Sequence, residues 1–130
     1  MKELERRFQD DVDRYLIRHR SILDVLSKIN ESAARVNRAV SKSVTSCGCI
    51  TIDATKQQIP PDASLSELRD FMATHVQGQL CERCREIVET EIGSTLFYLA
   101  AACEVLGLDM ESIVRKERQR ISALGVYRLT

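Results

Sequence analysis

The chain has 130 residues, 44% hydrophobic and 29% charged, and its 19 basic residues are matched by 19 acidic ones. That is enough for a single domain with its own core, and the charge balance removes any global drive toward nucleic acid or an anionic membrane. No apolar run reaches bilayer length, and three Tyr, three Phe and no Trp make a poor stacking platform for single strands, so a nucleic-acid partner is not expected.

The charged start, MKELERRFQDD, lacks the apolar stretch of a secretory leader. A cytoplasmic location is expected, and with it a compartment that keeps thiols reduced.

Residues 1–45 carry a heptad pattern. Phe8, Val12, Tyr15, His19, Ile22, Leu26, Ile29, Ala33, Val36 and Val40 alternate at spacings of four and three. This predicts a long helix, or a pair broken near His19-Arg20 where Ser21 can cap a new start. His19 reads as a seam residue at that break. A seam of this length also predicts a homodimer through helix packing, because a small bundle covers little of it.

Residues 46–63, SCGCITIDATKQQIPPDA, hold a glycine, two prolines and a brief alternation at Ile50 and Ile52. They predict a loop with at most one short strand. Residues 64–125 form the helical core. Ser64 and Glu67 fit a capping box opening a short helix that runs to about Gly78. A long helix over Leu80 to Leu106 follows, ended by Gly107, and Asp109 caps a last helix. The expected fold is an all-α bundle of four to five helices, with a long N-terminal helix and an irregular cysteine-bearing loop.

Four of five cysteines sit in two tight pairs, Cys47-Gly48-Cys49 and Cys81-Glu82-Arg83-Cys84. Such pairs make a disulfide, a redox dithiol, or half of a metal site each, and a pair can also be inert in a core. If Cys47, Cys49, Cys81 and Cys84 converge, four thiolates suit zinc, with an iron–sulfur cluster as the alternative. The second pair opens a helix, where free N–H groups favour thiolate. One residue between ligands requires a bent backbone, which Gly48 permits. His75 is a candidate replacement ligand. Cys103 lies in LFYLAAACEVL and reads as a small core residue.

On the long helix Glu91 falls within an apolar face, where a carboxylate needs a partner. Glu82, Glu86 and Glu89 form a separate stripe at helical spacing. Arg35 and Arg38 on the early helix, and Lys116 on the last, are candidate phosphate contacts.

Glu91-Ile92-Gly93, Leu96-Phe97-Tyr98-Leu99-Ala100-Ala101 and Leu106-Gly107-Leu108-Asp109 together resemble the second half of the MazG-like nucleoside triphosphate pyrophosphohydrolases. That resemblance implies an all-α, oligomeric protein with a Mg²⁺ site for a nucleotide. On it, Glu31, Glu91 and Glu86 or Glu89 would hold Mg²⁺, and Arg35, Arg38 and Lys116 would contact the phosphates.

The chain departs from that pattern at Ser94, where the family has Asp, and around Glu31, where the family has several carboxylates. Mg²⁺ wants several hard oxygen ligands. The expectation is therefore a divergent MazG-like helical module with a cysteine-bound structural or sensory metal, acting by interaction or regulation. The alternative is a Mg²⁺-dependent hydrolase of nucleoside triphosphates.

Overall fold

The computed structural model describes residues 3–125. Five helices and one small hairpin follow in chain order: α1 (Leu4–Tyr15), α2 (Ile22–Lys42), a π turn (Ser43–Cys47), β1 (Ile50–Ile52), a 3₁₀ turn (Leu65–Glu67) running into the single-turn α3 (Leu68–Phe71), β2 (Val76–Gly78), α4 (Glu82–Leu106) and α5 (Met110–Leu124). The fold is helical in the main. The closing VYRLT segment lies outside the described residues.

The N-terminal region is a helix pair, not one long helix. Arg20 folds back to cap α1, donating to the Leu16 carbonyl at 2.6 Å and to the Asp13 carboxylate at 3.0 Å. Ser21 then opens α2 by accepting from the Leu23 N–H at 3.3 Å. Because α1 ends at Tyr15, the heptad slips there: Tyr15 is 65% exposed while Leu16 takes the core position at 4%. His19 lies in the break, with Nδ1 3.7 Å from Asp24.

The second correction lies at residues 64–78. Glu67 does reach back to the Ser64 N–H at 3.4 Å, as a capping box should. The helix it opens nevertheless stops at Phe71, and Val76–Gly78 is a strand. His75 has φ of 62°, which a helix cannot continue through. The strand pairs antiparallel with β1 in the register Ile50 to Gly78, Thr51 to Gln77 and Ile52 to Val76.

The intervening loop is closed by Gln57, whose amide accepts from the Ala73 N–H at 2.8 Å and donates to the Ala73 carbonyl at 3.0 Å.

The core is thin. Val12, Leu16, Val25, Ala100 and Ala101 form its buried centre, flanked by Phe8, Ile22, Ile29, Phe97, Ala102, Val105 and Met110. It lies where α1 and α2 meet the C-terminal half of α4. There Ala100 and Ala101, both 0% exposed, let neighbouring backbones approach. Residues Cys84, Val88, Glu91, Thr95 and Tyr98 recur at spacings of four and three along the side of α4 that meets α2.

The α4–α5 elbow bends by 109° and is held from α1. Gln9 is 1% exposed. Its amide donates to the Leu108 carbonyl at 2.8 Å and to Glu104 at 3.0 Å, and it accepts from the Met110 N–H at 2.8 Å. Arg6, one turn away, pairs with Asp10 at 2.8 Å and Asp109 at 3.4 Å.

Truncating Gln9 leaves the part-buried Met110 N–H and Leu108 carbonyl without this partner at once, so Gln9→Ala should cost about 1–2 kcal/mol. Urea denaturation should show this against Gln57→Ala, whose partners are exposed and whose loss should be smaller.

Candidate metal centre

The hairpin register decides where the thiols go. Continue the ladder outward from the Ile50–Gly78 pair: three residues back is Cys47 and three residues on is Cys81. The two sulfurs face each other at 3.8 Å. Each then brings its companion, Cys49 from the turn and Cys84 from the first turn of α4. The four sulfurs lie within 4.8 Å of one another. Cys47, Cys49, Cys81 and Cys84 are thus placed to bind one metal ion.

Local backbone explains each ligand. The π turn keeps the chain winding past the end of α2, with the Gly48 N–H donating to the Ser43 carbonyl at 2.9 Å. Gly48 takes φ of 80°, the left-handed conformation that costs glycine little, and so turns Cys49 back beside Cys47. Gly78 is required for a second reason. A Cβ there would stand 2.7 Å from the Cys49 carbonyl, at φ of 85°.

On the other side Cys81 is the N-cap of α4, and its sulfur accepts from the Cys84 N–H at 3.4 Å. This is the usual role of Ser or Asp at that position, performed here by a thiol.

The environment splits the thiols. The Cys84 N–H and thiol both stabilise the Cys81 thiolate, lowering its pKa to about 7. Cys84 goes the other way, up to about 12: the Ser43 hydrogen bond pulls it down, but Cys81, burial, Cys47 and Cys49 outweigh that. Four thiols this close cannot all ionise without a cation. Cys103 is buried away from the quartet, and burial raises its pKa. All five cysteines are free thiols.

The other sequence candidates scatter. His75 is at the far end of the hairpin, with Nε2 3.4 Å from the Gln57 amide, and takes no part in the quartet. Glu31 and Glu91 both line a small cavity of about 230 Å³ between α2 and α4, together with Lys28 and Arg35. Both Glu31 oxygens are already engaged, by Lys28 at 3.1 Å and Arg35 at 2.9 Å, which lowers its pKa. Glu86 and Glu89 are exposed and line neither that cavity nor the larger one beside it.

The larger cavity, about 710 Å³, runs from there to the cysteines. Arg35 and Arg38 line it, whereas Lys116 sits exposed on α5 and does not. Two further cations line it: Lys42, which continues the α2 stripe of Arg35 and Arg38 at helical spacing, and Arg83, which was not foreseen from sequence. Arg83 lies between Cys81 and Cys84, and that adjacency was the available signal.

No family model, no curated protein and no solved structure matches this chain. Among the described residues no single helix is long and apolar enough to cross a membrane.

The Gly78 geometry has a direct consequence. Gly78→Ala must push the Cys49 carbonyl away, opening the quartet from the loop side. Metal bound per chain, read by elemental analysis, should fall at least several-fold, while helicity by circular dichroism holds.

Proposed function

We propose that this protein is a helical interaction or regulatory module of divergent MazG-like type, stapled by a structural or sensory zinc ion at Cys47, Cys49, Cys81 and Cys84. The carrying observation is the mutual approach of four sulfurs from two distant segments, all within 4.8 Å.

Zinc bound by four thiolates at about 2.3 Å has sulfur–sulfur edges of about 3.8 Å, and Cys47 to Cys81 is 3.8 Å. An iron–sulfur cluster spreads its thiolates over several irons and needs a wider cage, so a single ion is the better fit. A disulfide or redox dithiol uses two sulfurs, whereas four are gathered within 4.8 Å of one another. Four protein sulfurs would fill all four positions of a tetrahedral ion, which suits a structural site.

The same reading makes the protein a homodimer. Leu26 and Val40 on α2, 49% and 38% exposed, and Ile92, Leu96 and Leu99 on α4, 45%, 47% and 40% exposed, fall by helical position on the side of the α2–α4 pair away from the cavities. Two uncovered apolar rows at heptad spacing suit a second copy of themselves.

A second reading, hydrolysis of a nucleoside triphosphate to monophosphate and pyrophosphate with Mg²⁺, is favoured by one observation: Glu31 and Glu91 share a cavity. Two carboxylates, one of them doubly ion-paired, make a weak site for an ion that wants several oxygens.

Four outcomes are expected. Protein purified without an affinity tag should carry about one zinc per chain, and a Cys81→Ser/Cys84→Ser double variant should carry none and melt earlier. Metal binding must displace thiol protons, so affinity should fall as pH drops through about 7, the Cys81 pKa, by about tenfold per pH unit for each proton displaced. Absence of metal at pH 7.5 would end the zinc reading.

Leu96→Glu should convert a dimer to a monomer in sedimentation equilibrium without loss of helicity. A panel of nucleoside triphosphates with Mg²⁺ should release no pyrophosphate above a Glu91→Gln control; release above it would establish the second reading.

A further inference from the structure

The larger cavity has a charge pattern that the metal staple does not explain. Arg35, Arg38, Lys42 and Arg83 line it, with Glu91 the single acid among the lining residues. Arg35 is paired with Glu31 at 2.9 Å. Arg38, Lys42 and Arg83 have no ion pair among the described residues, so three cations converge on one concave space.

Its volume of about 710 Å³ lies in the range of small-molecule sites. Ile87 and Ala39 supply apolar wall. Guanidinium groups match oxyanions through paired N–H donors.

The cavity also shares its wall with the quartet, since Ser43, Cys47 and Cys84 line it too. Lys42 immediately precedes the turn that carries Cys47, and Arg83 lies between Cys81 and Cys84 in one helical turn. Bonds from one ion to both segments would fix Lys42 on α2 against Arg83 on α4. Lys42 is the last residue of α2 and Arg83 lies in the first turn of α4, so without the ion these helix ends are held by the ladder and by the burial of Ser43, Cys84 and Val88, and the ion adds a direct link between them.

We propose that this cleft binds a compact oligophosphate group, and that occupation of the four-cysteine centre sets its affinity. The proposal rests on the metal reading above and extends it to a ligand.

Two effects of the ion compete. A zinc tetrathiolate carries two net negative charges, which opposes an incoming anion. Lys42 and Arg83 flank that charge, while Arg38 lies about one turn further along α2, and Arg35 nearly another turn beyond. Across that distance the repulsion is screened by salt and solvent. Linking the helix ends that carry Lys42 and Arg83 restricts two cations of the wall, and that ordering outweighs the repulsion. The metal-loaded form is the tighter binder.

Linkage makes the effect reciprocal: the anion must raise metal affinity by the factor by which metal raises anion affinity.

The test is calorimetric titration of inorganic tripolyphosphate into the full chain, without Mg²⁺, in metal-loaded and chelator-stripped forms whose zinc content is measured on the same samples. Loaded protein should bind with a salt-dependent affinity, and stripping should weaken it about tenfold or more. Arg38→Gln should weaken binding with zinc content unchanged. Saturating tripolyphosphate should slow zinc transfer to a chromogenic chelator.

A nucleoside triphosphate binding as tightly as tripolyphosphate would mean that only the phosphates are read. Tighter binding would add the Ile87 wall to the same site.

Absence of binding to zinc-loaded protein, equal or tighter binding after stripping, or an unaffected Arg38→Gln variant overturns the proposal while leaving the zinc reading intact. Protein that takes up no zinc overturns the zinc reading and the coupling with it. Preference for an oligoribonucleotide over tripolyphosphate replaces the proposal with a nucleic-acid surface.

Discussion

A ladder of three residue pairs determines where the chemistry of this chain is assembled. Two strands this short are marginal on their own in water, yet their register sets Cys47 against Cys81 across the hairpin. A one-residue slip would turn every side chain to the opposite face and part the sulfurs. The strands and the thiols therefore depend on each other. The ladder brings four ligands within reach of one ion, and an ion bound there would hold a ladder that hydrogen bonds alone hold weakly. Gly78, which admits the Cys49 carbonyl at a distance no Cβ would allow, is where the two requirements meet.

The helical part of the molecule makes this arrangement more consequential. Its buried centre is five residues, gathered at one end of the α2–α4 pair. At the other end the pair is joined by Cys84, Val88 and Ser43 and by whatever holds the hairpin. The molecule is thus stabilised at two poles by different means, apolar burial near Val12, Val25 and Ala100, and the cysteine quartet near Ser43. Between them lies the cavity system, where charged residues from α2 and α4 face each other without close packing.

Much of the helical framework was legible because it depends on local signals. Asp109 and Ser21 as caps, Gly107 as a stop and the heptad of α2 each act within a few residues. The cysteine pairs were legible as pairs for the same reason. Their convergence was an inference from chemistry, since no spacing in the sequence states that residue 47 meets residue 81.

The sequence misled where a local signal was outcompeted. The capping box at Ser64 is present, but β2 claimed Val76–Gly78 because pairing with Ile50–Ile52 offered partners that a continued helix did not. Val-Gln-Gly is too short to display strand alternation. The seam through Tyr15 failed because Arg20 closed α1 early and left Leu16 to fill the core. Lys42 and Arg83 went unnoticed as a pair because charge convergence across 41 positions leaves no periodic trace, and Gln9 because a polar residue on an amphipathic helix is ordinarily read as solvent-facing.

Gln9 carries an implication of its own. Every helix leaves carbonyls unsatisfied at one end and N–H groups at the other, and an elbow between two helices collects both kinds at one corner. One primary amide, donor and acceptor on the same rigid plane, can serve a carbonyl of the link and the first N–H of the second helix, and Gln9 does so across a distance of about a hundred positions in the chain. The orientation of α5 is thereby written into α1, and the angle of α5 is settled only when two segments about a hundred positions apart have met. The domain has no partial version of that corner. A fragment lacking its first helix would keep its hairpin and thiols, yet it would lack the set-square against which its final helix is aligned.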